Sequence, residues 1–179
     1  MKRTAKSAKL VLLDNDDSIL AETEAIQGRI RQRAFELSQK RPPDVHKLYD
    51  WIAAEAEVVS VPPVEVIERD GVFDVRFAVA GVNPDDVNVM VTPGQIVLKS
   101  QFAHQHDPDK GTVHLCDFKS TTIFRSVTLP QLIDVTSVKV DFEEGMLHVS
   151  AVKEGAAEEV RSKRPARKTA VRKSRAKQP

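Results

Sequence analysis

Across residues 62 to 153 the apolar residues of this chain recur with a period of two, and no helical stretch interrupts them. Phe73, Val75, Phe77 and Val79 alternate strictly, with Asp74 and Arg76 on the opposite parity. Successive side chains of a strand point to opposite faces, so this pattern describes a strand with one dry and one wet face. Pro62 and Pro63 suit a strand entry, Val64 and Val66 follow, and Arg69, Asp70 and Gly71 mark a turn. GVNPDD at 81–86 separates the next run, Val87, Val89 and Val91, and Thr92-Pro93-Gly94 turns it toward Ile96 and Leu98. Beyond the polar stretch AHQHDPDKGT come Val113 and Leu115, then Ile123, Val127 and Leu129 before Pro130. Last, Val138, Val140 and Phe142 answer Leu147, Val149 and Ala151 across Glu143-Glu144-Gly145. Seven or eight short strands at close spacing predict a mainly β, antiparallel β-sandwich. A parallel βαβ arrangement is excluded, because no connection is long enough.

The period before residue 61 is helical. In residues 18–40, Ile19, Ile26, Ile30, Ala34 and Leu37 share one face, Asp16, Asp17 and Ser18 offer N-caps, and Arg41-Pro42-Pro43 stops the helix. A second helix is expected from Asp44 to about Val59, packing through Val45, Leu48, Ile52, Ala56 and Val59, with Trp51 anchoring the pair. The chain therefore divides into a flexible N-terminus (1–17), a helical hairpin module (18–60), the sandwich (62–153) and a disordered basic tail (154–179).

Charge separates the tail from the rest. Nine of the 27 Lys and Arg lie in residues 161–179, which hold no acid, so residues 1–160 carry 18 bases against 26 acids, a net of −8. Without an apolar period the tail buries too little surface to offset the entropy of ordering. It reads as a solubilising extension or as a sequence-neutral contact to nucleic acid through residues 161–179. Membrane or ribosome association comes third, and no membrane partner is expected. No apolar run approaches the roughly 18 residues that cross a bilayer, and LVLL between the basic MKRTAKSAK and Asp14 is too short for a signal peptide. With Cys116 as the single cysteine, the expected location is cytoplasmic.

Catalytic patterns are missing. The sequence has no GxGxxG, GKS, GKT or HExxH, and no Gly-x-Ser-x-Gly to present a nucleophile, so neither enzymatic activity nor a cofactor is expected. His104, His106, Asp107, Asp109, His114 and Cys116 crowd one stretch, but at no standard zinc spacing. A solvated polar loop with no metal is the expectation. Arg125 shares the parity of Ile123, Val127 and Leu129. It is either an edge arginine near solvent or a buried charge that must find a partner.

Two blocks resemble the α-crystallin domain of small heat shock proteins. FAVAGVNPDDVNVMVTPGQIVLKS (77–100) carries Gly81, then Asp85 and Asp86, then a strand. FRSVTLPQLIDVTSVKVDFEEGMLHVSAVK (124–153) carries Arg125, Leu129 and Pro130, and Gly145 and Leu147 at the signature Gly-x-Leu. The chain departs from the family at Ala80 and Val152, where proline is common, at Ser100, where glycine is, and at Val140, where alanine is usual. Residues 154–179 contain no Ile-x-Ile or Ile-x-Val, the motif by which relatives dock into neighbouring sandwiches. The resemblance implies an immunoglobulin-like sandwich and an ATP-independent holdase that binds partly unfolded client proteins. It places a client groove between Val89/Val91 and Val138/Val140. It also implies a strand-swapped homodimer, or a larger oligomer, using GTVHLCDF with Leu115, and Arg125 in an inter-chain ion pair. The competing reading is a non-catalytic dimeric scaffold whose basic tail contacts nucleic acid. Residues 30–58 are also similar to a short bacterial domain of unknown function, through Arg33, Ala34, Leu37, Asp50, Trp51, Ala54 and Glu55.

Overall fold

The alternating segments form strands, and the strands form two packed sheets. The structure, a computed structural model, describes residues 8–42, 47–107, 109, 111–117 and 119–156. The basic tail beyond residue 156, and Val45 of the expected second helix, lie outside the described residues.

One sheet holds β3 (Val64–Arg69), β4 (Val72–Ala78), β9 (Met146–Val152) and β8 (Lys139–Glu143), in that order and antiparallel throughout. Strands β4 and β9 alternate strictly between buried and partly exposed residues, as one covered face requires. Phe73, Val75 and Phe77 of β4 and Leu147, Val149 and Ala151 of β9 enter the core. The second sheet contains β5 (Asn88–Val91), β6 (Gln95–Phe102) and β7 (Thr121–Thr128) as an antiparallel trio. Its Val89, Val91, Ile96, Leu98, Ile123 and Val127 face the other sheet in the same core.

Two tight turns fix register. Asp70-Gly71 joins β3 to β4 and Glu144-Gly145 joins β8 to β9, with φ of 51° and 76°, and of 50° and 79°. Two successive left-handed residues make the turn whose twist matches that of paired strands. Gly145 is doubly constrained, because a Cβ there would lie 3.1 Å from Ala80 Cα. The Val79 N–H donates to the Gly145 carbonyl at 2.8 Å. The two sequence blocks therefore meet, chain 79–80 against the 144–145 turn.

The N-terminal segment departs most from expectation. Lys9–Leu12, expected in a flexible terminus, forms strand β1, paired in parallel with β5 in the register Leu10↔Val89. Val59–Ser60 forms β2, parallel to β7. The second sheet thus runs β1-β5-β6-β7-β2 and is not wholly antiparallel. Between these edge strands, α1 (Asp17–Ser38) and α2 (Lys47–Val58) cover the outer face. Ile19 packs with Met90 and Val97, while Ile26, Ile30 and Ala54 form a further cluster against Phe124. Polar ties hold α1 to the sheet: Glu22 to Lys99 at 2.5 Å, and the Arg29 guanidinium donating to Thr122 Oγ1 at 3.2 Å.

The buried face of α2 also corrects the expectation. Ala54 and Asp50 face inward, whereas Leu48 and Ile52 are exposed, and Trp51, 38% exposed, lines a cleft with Ala34 and Ser38 of α1. Beside the apolar cluster of Ile26, Ile30 and Ala54, ionic groups also join the helices. Arg41 pairs with Asp50, and Arg33 bonds Glu57 at 2.6 Å and Glu36 at 2.8 Å. The hydrogen bond from Arg33 holds the Glu36 carboxyl below the usual carboxylate range. No helix among the described residues is long and apolar enough to cross a membrane.

Candidate interaction surfaces

The four residues expected to line a groove are divided between the two sides of the sandwich. Val89 and Val91 are fully buried on β5, Val138 is buried just before β8, and Val140 is partly buried against the same core. The position of Val138 is set by the short 3-10 turn Val135–Ser137. Asp134 caps that turn, accepting from the Thr136 hydroxyl at 2.6 Å and the Thr136 N–H at 2.9 Å. These bonds, the hydroxyl's above all, lower the Asp134 pKa. The charged carboxylate therefore favours the fold above the ordinary carboxylate range, an advantage lost as pH falls through the lowered value. Ser137 Oγ donates to the Asp134 carbonyl and accepts from the Val152 N–H at 2.8 Å, fastening the turn to β9.

The chain itself occupies this edge. β1 lies along β5, with the Lys9 N–H donating to the Val87 carbonyl and the Leu13 N–H to that of Val91, both at 2.8 Å. Ala8 is buried in the sandwich core and Leu10 packs against it, while Val11 and Leu13 pack with Ile19 of α1. Alternate residues of one short strand thus serve two different apolar clusters. Sequence reasoning missed these residues, since LVLL has no wet face and hence no alternation.

The two residues expected at a dimer contact lie apart in character. Leu115 is 82% exposed, and residues 111–117, the described part of the expected additional strand, form no strand in the single chain. Arg125 is partly buried on β7 opposite fully buried Leu98, and its Nε is buried with no hydrogen-bond partner. The parity argument therefore holds for Arg125. No hydrogen bond or ion pair among the described residues joins it to the 111–117 segment.

The signature residues have structural duties. Gly81 adopts φ +83°, Leu129 is buried and donates its N–H to the Gly94 carbonyl at 2.9 Å, and exposed Pro130 ends the β7 ladder. Leu147 is fully buried opposite Phe77 on one side and Phe142 on the other.

A profile of the Hsp20/alpha crystallin family matches residues 65–169. The chain belongs to that family. Among curated relatives, the alpha-crystallin of Mycobacterium tuberculosis is 36% identical over 89 residues, 49% of this Hsp20-family chain and 59% of that protein. Small heat shock protein C2 of Rickettsia felis is 22% identical over 93 residues, covering 52% and 60% of the two chains. The matches thus span about six-tenths of the length of these relatives. Among solved structures, heat shock protein 16.0 from Schizosaccharomyces pombe aligns with a TM-score of 0.48 at 20% identity, over 66% of this chain and 99% of that one. The family expected from residues 77–100 and 124–153 is borne out.

Proposed function

We propose that this Hsp20-family protein is an ATP-independent holdase that captures partly unfolded proteins along the β5 edge and the groove between β5 and β8. The seating of β1 carries the reading. An extended apolar segment already adds to β5 by backbone hydrogen bonds and places alternate side chains in the groove. Strand addition to an exposed edge takes affinity from the main chain and selectivity from alternate pockets. A client segment rich in apolar residues offers the same groups, and covering them slows its aggregation. Light scattering by a heat-stressed client enzyme, without ATP, should fall by at least about half at a few-fold molar excess of this protein. Undiminished scattering at several-fold excess would remove the holdase reading. It would favour the scaffold, for which the exposed Leu48 and Ile52 of α2 offer a docking face.

The same reading includes a strand-swapped homodimer. With β1 lying along β5 and β2 along β7, the described edges to which a partner's 111–117 segment could add are β1 and β2 of one sheet and β3 and β8 of the other. The buried Nε of Arg125, which has no hydrogen-bond partner, supports an inter-chain contact there, as a buried polar atom left unpaired is costly. Arg125→Gly and, separately, Leu115→Asp should each raise the dimer dissociation constant at least about tenfold by analytical ultracentrifugation. Leu115 is too exposed for its replacement to disturb the fold. Dissociation unchanged in both variants would count against the swapped dimer.

A further inference from the structure

The arms that extend β6 and β7 beyond their last pair, Phe102↔Thr121, carry two histidines and the cysteine toward one another. The neck of this loop is held at His104. Its N–H donates to Ser120 Oγ at 3.1 Å, and that hydroxyl donates back to the His104 carbonyl at 3.5 Å. The His104 ring stacks on Phe102, with centroids 6.5 Å apart and planes 8° from parallel, and meets His106 edge-on at 4.8 Å. In extended chain, residues two apart share a side, which explains how His104 and His106 approach. From the returning arm Cys116 brings Sγ to 3.4 Å from His104 Nε2. One ligand atom from each of the three side chains lies within 4.8 Å of the others.

We propose that His104, His106 and Cys116 form a zinc-binding site, with a water molecule completing the tetrahedron. Zinc takes imidazole nitrogen at about 2.0–2.1 Å and thiolate sulfur at about 2.3 Å, so ligand atoms around it stand roughly 3.3–3.8 Å apart. The Cys116–His104 pair already has that separation, and the third ligand needs a shift of about 1 Å. Two imidazoles and a thiolate suit a borderline-soft ion and disfavour magnesium and calcium, which prefer oxygen. The spacing His-x-His followed by a cysteine ten residues on is unusual, which is why the sequence suggested a solvated loop. The paired arms supply the proximity that spacing alone does not. On binding, a zinc–sulfur bond forms, the Cys116 thiol proton passes to buffer, and the neutral imidazoles donate nitrogen lone pairs.

The test uses the full chain, stripped of metal and kept reduced with a phosphine. Calorimetric titration with zinc chloride should give one ion per chain with a dissociation constant of about 1 µM or below. The apparent enthalpy should vary with buffer ionisation heat in proportion to the released proton. Cys116→Ser, and the double variant His104→Ala with His106→Ala, should each weaken binding at least about 100-fold. Their metal-free melting should be unchanged, because these side chains belong to an irregular surface loop. Cobalt in place of zinc should give a thiolate charge-transfer band in the wild type and none in Cys116→Ser. Substoichiometric binding, affinity unchanged in either variant, or a wild-type cobalt complex without that band would overturn the proposal.

Discussion

Leu147→Ala should destabilise the protein by about 2–5 kcal/mol, the range for truncating a large buried aliphatic side chain. Its side chain is fully buried among the facing residues of both sheets, with Phe77 and Phe142 as cross-strand neighbours on either side. Rigid strands on both flanks limit collapse around the cavity, so the loss should lie well inside that range. For a sandwich of this size the midpoint of thermal unfolding should drop by roughly 10–20 °C. Circular dichroism melting of wild type and variant measures it directly. A drop below about 3 °C would mean that the β4-β9-β8 layer repacks around the missing atoms.

Removing the β1 contact should have the largest effect on binding. Deletion of residues 1–13 strips Ala8 and Leu10 from the sandwich core and leaves the β5 backbone unpaired. Leu10→Asp attacks the same contact without shortening the chain, since a carboxylate seated against that core is strongly disfavoured. Both changes should raise the fluorescence of a dye that binds exposed apolar surface at least about twofold. Both should also lower the amount of protein needed to suppress client light scattering by a similar factor. If dye binding rises while suppression is unchanged or falls, β5 is not the client edge. If neither moves, β1 does not cover the groove in solution.

The contrast between the two sheets explains what the sequence could reveal. β4 and β9 were legible because one face is covered and the other is not, and their sequences alternate accordingly. β5 and β6 are buried on both faces, one by the facing sheet and one by α1, so Met90 and Val97 stand at the positions where a strand with one wet face carries polar residues. They were found from the apolar parity of Val87, Val89 and Val91 and of Ile96 and Leu98, together with the turns that bound them. β1 has neither alternation nor a turn signal, and its strand character comes from β5, 79 positions away in register. The stripe through Leu48 and Ile52 had the right period for a buried face, but Ala54 and the Arg41–Asp50 pair decided the packing. Val89 and Val91 lie on β5, Val138 lies just before β8 and Val140 on it, and no sequence signal indicated that the chain would lay its own strand along β5.

That separation of β1 from its partner has a temporal consequence. During synthesis Lys9–Leu12 emerges long before Asn88–Val91, and β2 precedes its partner Thr122–Ile123 by 63 positions. Closing such distant contacts is slow compared with forming the hairpins β3–β4, β5–β6 and β8–β9. The local hairpins therefore form ahead of the clasp that the N-terminal segment places around them. Until that clasp closes, β5 is the outer strand of its hairpin, with the backbone groups that β1 pairs still facing outward.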